Sequence, residues 1–187
     1  MAILGQVMAE HLAVKILSTA LAVLLFAASA GAESFDSEHY ELQTVTVAKG
    51  LRSPWGLAFL PGGGMLVTER AGGIRIVAAN GQLSPRLTGM PEVYAHGQGG
   101  MLDVALDPNF HANKLIYFSY AEPGPGGAGT AVARARLDAA GNRLVNTRVI
   151  FRQTPKSSGG RHFGSRLVFG PDGRLFITVG ERGQRHR

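Results

Sequence analysis

The chain of 187 residues contains no cysteine. That excludes disulfides, thiolate catalysis, and zinc or iron–sulfur sites built on Cys ligands. It also excludes a lipid anchor on a cysteine behind an export signal. Charge is sparse: 17% of residues are charged, and 19 Lys and Arg against 13 Asp and Glu leave a net charge of +6. Binding of nucleic acid would call for basic residues on one strip with aromatics between them. Here the arginines are scattered through turns and dense only at Arg161, Arg166, Arg174, Arg182, Arg185 and Arg187. The surplus reads as a solvated basic surface, and no nucleic-acid partner is expected. No Gly-x-Gly-x-x-Gly opens a helix after a strand, so a nicotinamide-binding Rossmann unit is not expected either. Neither Gly-Gln-Gly-Gly at 97–100 nor Gly-Glu-Arg-Gly at 180–183 offers the nucleophile of a Ser or Cys hydrolase.

Glycine is abundant, with 26 residues beside 9 prolines, while helical periodicity is scarce after residue 35. Many short strands joined by tight turns are the expectation, because glycine supplies the positive-φ positions such turns need.

The N-terminus reads as a targeting segment. Lys15 precedes an uncharged, mostly apolar run over 16–28, and Ala30, Gly31 and Ala32 fit a small-x-small cleavage pattern before Glu33. This is the order of a secretory signal peptide, and the run is shorter than the ~20 residues a bilayer-spanning helix needs. An uncleaved anchor is the alternative. Residues 1–32 are therefore expected to be a signal peptide. The mature chain, 33–187, is expected to be periplasmic or secreted, with no stable membrane span after cleavage.

Beyond the signal one pattern recurs: an apolar strand, a turn carrying Pro with Gly or Asn, and a second apolar strand. The copies cover 55–70, 102–120 and 166–179, with turns at 61–64, 107–110 and 170–173. Proline fixes φ, aspartate bonds its own backbone, and glycine takes the left-handed position. Further strands are expected at 74–77, 130–134 and, on an outer edge, 147–151, with a loop tip over 123–129. Units of three to four antiparallel strands at a spacing of ~50 residues read as propeller blades. The fold class expected is all-β, a β-propeller with about three blades over 33–187. Since closed propellers have about four to eight blades, a truncated product is expected, with two open apolar faces.

Several segments, in order, resemble the soluble aldose sugar and glucose dehydrogenases that use pyrroloquinoline quinone (PQQ). They are 51–59, 67–70, 97–110, 160–173 and 175–181, and the most specific is Gly-Gln-Gly-Gly followed by His-x-x-x-Arg-Leu. The resemblance implies the N-terminal half of a six-bladed propeller. It implies that His162 is the general base that takes the proton of a sugar's anomeric hydroxyl while hydride moves to the quinone. It implies that Glu181, where the family usually has Asp, holds that imidazole, and that Gln98 hydrogen-bonds the cofactor. Chemically the types are apt: a neutral imidazole accepts a proton near neutral pH, a carboxylate behind it stabilises the imidazolium, and an amide both donates and accepts. Arg161 stands where the glucose-specific branch is acidic, which favours the broader aldose branch. His96 has no family match and reads as a surface residue. PQQ and calcium are the cofactors implied, with the calcium ligands and the residues clamping the quinone carboxylates expected beyond this chain. An aldose substrate and an external electron acceptor are the partners implied, and little activity is expected of the 187 residues alone. The alternative is a non-catalytic propeller fragment that binds glycans or protein partners.

Overall fold

The computed structural model describes residues 33–138 and 140–184. The signal-peptide expectation over 1–32 lies outside the described residues. Among them no helix is long and apolar enough to cross a membrane.

The chain divides into two compact units, Met1–Thr46 and Val47–Arg187. What is described of the first is a short hairpin of β1 (Glu33–Asp36) and β2 (Glu41–Thr44). Its turn is closed by Ser37, whose amide and hydroxyl both donate to the Tyr40 carbonyl.

The second unit is a series of antiparallel sheets. The first holds β3 (Pro54–Phe59), β4 (Met65–Glu69) and β5 (Gly73–Val77) in that order. The next holds β6 (Met101–Leu106), β7 (Leu115–Gly124), β8 (Gly127–Leu137) and β9 (Leu144–Arg152). The last is the pair β10 (Gly164–Phe169) and β11 (Leu175–Val179). Every strand pairs with its neighbour in sequence, as in a propeller blade, and β6 lies against both β3 and β10. The protein is an all-β propeller, as the repeat predicts. Two expectations need correction. The 107–110 turn runs on into a single helical turn, α1 (Phe110–Asn113), closed by Asp107, which accepts from the Asn109 amide and the Asn113 side chain. The loop expected over 123–129 is mostly strand: Pro123 pairs with Ala128 and Gly124 with Gly127. Only Pro125 and Gly126, the latter at φ 85°, are left to turn the hairpin.

The core lies where the first two sheets meet. Leu66 and Ile74 of one sheet pack with Val104, Ile116, Phe118, Tyr120, Ala133 and Leu144 of the other. Alternation along the strands decides which side chains take part. On β3, Ala58 faces the core while Leu57 and Phe59 are 47% and 74% exposed. On the last sheet Leu167 is buried, whereas Val168 and Phe176 are 52% and 59% exposed. The middle sheet is thus covered, and the two flanking sheets each carry exposed apolar side chains on one face.

One device repeats at the seams. Each inner strand carries a β-bulge at the same place, between Pro54 and Leu57, Met101 and Val104, and Gly164 and Leu167. A bulge leaves one amide outside the ladder, and a hydroxyl on the second strand receives it. Gly56 N–H donates to Thr68 Oγ1 at 2.8 Å, and Thr68 donates onward to the Leu102 carbonyl of the next sheet at 2.6 Å. Asp103 N–H donates to Ser119 Oγ at 2.9 Å, and Ser119 donates to the Ser165 carbonyl at 2.8 Å. In the last sheet Arg166 N–H donates to Thr178 Oγ1 at 2.9 Å. Asp103 adds a further tie, accepting from Leu167 N–H at 2.8 Å.

Candidate active site

Three segments meet at one end of the inner strands: the approach to β6, the approach to β10, and the turn after β11. Their backbones touch so closely that side chains are excluded. A Cβ on Gly97 would overlap the Gly160 carbonyl, and one on Gly180 would overlap that of His162. Gln98 N–H donates to the Gly160 carbonyl at 2.8 Å. Beneath them a small apolar cluster of Leu102, Ala121, Ala128 and Phe163, with Tyr94 against it, gives the loops a floor. Thr130, fully buried on β8, ties the floor to the loop by donating to the Phe163 carbonyl at 2.6 Å.

The three residues singled out in the sequence come together here, although 64 positions separate the first two. Gln98 Oε1 accepts the His162 amide hydrogen at 2.9 Å. His162 Nδ1 is hydrogen-bonded to Glu181 Oε1. Glu181 Oε2 accepts in turn from Gln184 N–H at 2.6 Å. The His162 hydrogen bond, with the amides of Gln184 and Gly183, holds the Glu181 carboxyl below its ordinary pKa against the opposing pull of desolvation. The imidazole is half exposed, at 51%. Among the described residues its Nε2 has no hydrogen-bond partner, and neither has the side-chain nitrogen of Gln98. The longer side chain of Glu181, a departure from the usual Asp, still reaches the imidazole. His162 itself has φ 54°, a left-handed conformation uncommon for a non-glycine residue.

Several contributors were not singled out as site residues in the sequence. Arg70, at the end of β4, donates to the Gly97 carbonyl at 2.9 Å and so braces the Gln98 turn. Arg182 lies buried under the His162 loop. Tyr94 meets His96 edge-on, with ring centroids 5.8 Å apart. His96 is exposed, as its surface reading has it, but its ring lies 3.7 Å from where a Cβ on Gly160 would stand. A Pro or Gly announces itself by backbone geometry; an arginine that bonds to carbonyls across a fold has no local pattern to betray it.

A second concavity runs along the inner strands, lined by Trp55, Gly56, Leu57, Asp103, Ser165 and Arg166. It contains neither Gln98 nor His162. Among the described residues no three His, Cys, Asp or Glu side chains gather as a metal site, so the calcium implied by the resemblance has no side-chain donor set in them. A planar quinone is different. Gln98 and His162 are joined through the His162 amide, and among the described residues the Gln98 amide nitrogen, a donor, and the second imidazole nitrogen of His162 are both left without partners, which fits a flat, oxygen-bearing cofactor with an alcohol beside it.

An imidazole backed by a carboxylate thus stands at the end of a propeller's inner strands, an arrangement whose chemistry is that of a proton acceptor. Residues 51–187 match the glucose/sorbosone dehydrogenase family, and the chain belongs to it. It is 51% identical over 137 residues to the aldose sugar dehydrogenase YliI of Escherichia coli, an alignment covering 72% of this chain and 37% of that protein. It is 28% identical over 167 residues to quinoprotein glucose dehydrogenase B of Acinetobacter calcoaceticus, covering 84% of this chain and 33% of that one. Among solved structures, the PQQ-bound aldose sugar dehydrogenase of Streptomyces coelicolor superposes with a TM-score of 0.65 at 34% identity, over 83% of this chain and 44% of that one. The chain therefore spans 33–44% of the length of these relatives.

Proposed function

We propose that the complete protein carrying this chain oxidises aldose sugars to lactones with PQQ, and that His162 is the general base. The observation that carries the reading is the continuous Gln98–His162–Glu181 network, set against membership of a sugar dehydrogenase family and a PQQ-bound relative. When bound, the quinone supplies the hydride acceptor. The protein's part is acid–base and positional. Glu181, on Nδ1, fixes the tautomer that leaves Nε2 free to accept, and so directs the imidazole's lone pair outward. Nε2 then takes the proton of the anomeric hydroxyl as the C–H bond breaks, and the carboxylate stabilises the imidazolium that results. The Gln98 carbonyl, held by the His162 amide, leaves its NH₂ to donate to a cofactor oxygen.

Two electrons per turnover must leave the cofactor, so an external acceptor belongs to the proposal. So does export to the periplasm or medium, which rests on the signal-like pattern of residues 1–32. The test is dye reduction by the complete protein with PQQ and a panel of aldoses. The expected result is PQQ-dependent turnover that His162→Ala lowers by about 10²- to 10⁴-fold, the usual range for a lost general base. Glu181→Gln should lower it by less. A His162→Ala protein with unaltered kcat ends the assignment.

A further inference from the structure

Arg182 is 3% exposed, yet among the described residues no carboxylate lies within ion-pairing distance of its guanidinium. Buried charges are ordinarily paired, because removing one from water is expensive. Its Nε is buried and has no hydrogen-bond acceptor among the described residues. Burial accordingly lowers the pKa of Arg182, against the opposing pull of Glu181 and Tyr94. Stability alone does not account for such a group, so what it touches is informative.

It touches both neighbours of His162. Nη1 donates to the carbonyl of Arg161, on one side. The guanidinium carbon lies over the ring of Phe163, on the other side, 3.2 Å from the centroid. Nη2 reaches the Ala128 carbonyl at 3.4 Å, which ties the assembly to β8. The backbone completes the enclosure, since a Cβ on Gly159 would overlap the Arg182 carbonyl. Both His162 and Arg182 are left-handed, with φ 54° and 61°. Arg182 also directly follows Glu181. One dipeptide thus grips the histidine twice, by its imidazole and by the peptides around it.

A comparable brace serves the Gln98 loop, but it comes from the preceding sheet and not from the sheet the loop leads into. Arg70 ends β4 much as Arg182 follows β11, and it donates to the Gly97 carbonyl at 2.9 Å and approaches that of Gly99 at 3.5 Å. Those are the two neighbours of Gln98. Each of the two site loops is therefore straddled by an arginine projecting from the end of a second strand.

We propose that Arg182 is a positioning residue: by bonding the Arg161 carbonyl and lying over the Phe163 ring it imposes the left-handed conformation that aims His162 at Glu181 and at the substrate. The inference rests on the dehydrogenase reading of this site. Only arginine fits the role, because a planar fork can bond a carbonyl in its plane while its face lies on an aromatic ring, which an ammonium cannot do.

The experiment compares Arg182→Lys and Arg182→Met in the complete, PQQ-loaded protein, with Arg174→Gln, an exposed side chain paired only to Asp172, as the surface control. Three quantities are read: kcat, the sugar KM, and the ¹⁵N signals of the His162 ring in the unloaded protein. The expected result is a fall in kcat of about tenfold or more in both variants, as for a misplaced catalytic group, with KM changed by less than about threefold. Lysine does not rescue, and the Nδ1 signal shifts away from its Glu181-bonded position. Variants that fold and keep both kcat and ring signals like wild type overturn the proposal and leave Arg182 as packing. If neither variant folds, Phe163→Leu, which removes only the aromatic face, takes their place with the same two outcomes. The ring signals need no turnover, so they judge the positioning even if His162→Ala shows that the histidine is not the base.

Discussion

Replacing Thr68 by Val keeps the shape of a fully buried side chain and removes its hydroxyl, and the seam device gives the size of the effect. Two buried partners lose their bonds at once: the Gly56 amide, which donates to Thr68 at 2.8 Å, and the Leu102 carbonyl, which accepts from it at 2.6 Å. A buried polar group left unpaired costs about 1–3 kcal/mol, so the pair amounts to about 2–5 kcal/mol after some relaxation. Against a typical domain stability of ~5–15 kcal/mol that is a large fraction, equivalent to roughly 5–15 °C in Tm at this chain length. Thr178→Val is the internal comparison. Its hydroxyl also receives a bulge amide, from Arg166 at 2.9 Å, but the side chain is exposed and water can replace it, so the loss should stay below ~1 kcal/mol. Urea unfolding of the two variants beside the parent measures both. Equal losses would refute the reasoning, because they would mean that the hydroxyl contributes only its local bond and nothing across the seam.

Glu69 offers a pH test. It is fully buried; burial pushes its carboxyl up, but the Arg52 amide and the Arg86 and Arg75 guanidinium groups outweigh that and hold its pKa below the ordinary 4.5. A carboxyl depressed in the folded state binds its proton more weakly there than in the unfolded chain, so its contribution is present above about pH 4.5 and lost as pH falls through the folded value. The stability gap between parent and Glu69→Gln should therefore shrink on acidification from pH 7 to 3, and a gap that widens contradicts the ion-pair account. Gly180→Ala should cost about 1–3 kcal/mol by overpacking and abolish most turnover, since its methyl would overlap the His162 carbonyl; thermal melts and dye reduction report the two effects separately.

Much of the fold was legible because apolar alternation and turn chemistry are local. The strands expected at 74–77 and 147–151 lie inside β5 and β9, and the Pro-bearing turns at 61–64 and 170–173 stand where expected. Misjudgement fell where a tertiary contact overrode a local cue. Proline and glycines over 123–129 read as a break, yet the ladder continues through Pro123. Lys156 caps that end of the hairpin, donating to the Glu122 and Pro123 carbonyls at 3.0 and 2.9 Å. The hairpin of residues 33–44 had no repeat to announce it. Of the site, Gln98, His162 and Glu181 were found because a motif names them, and the structure adds that they are bonded to one another. Arg70, Arg182 and Tyr94 escaped, since their work is to hold backbone that lies far away in sequence.

The hydroxyl seams also bear on how such a protein can change. Thr68 fixes the Leu102 carbonyl four residues beyond Gln98, and Ser119 fixes the Ser165 carbonyl three residues beyond His162. Each site loop is thus referenced to the blade before it and not to the length of chain that leads up to it. The marker prolines Pro61, Pro108 and Pro171 are unevenly spaced, with the extra length taken up in the long β7–β8 hairpin and the segment after β9. Outer strands and their hairpins can therefore lengthen or shorten in descent while the distance between amide and imidazole stays gauged, a separation of the variable rim from the working axis.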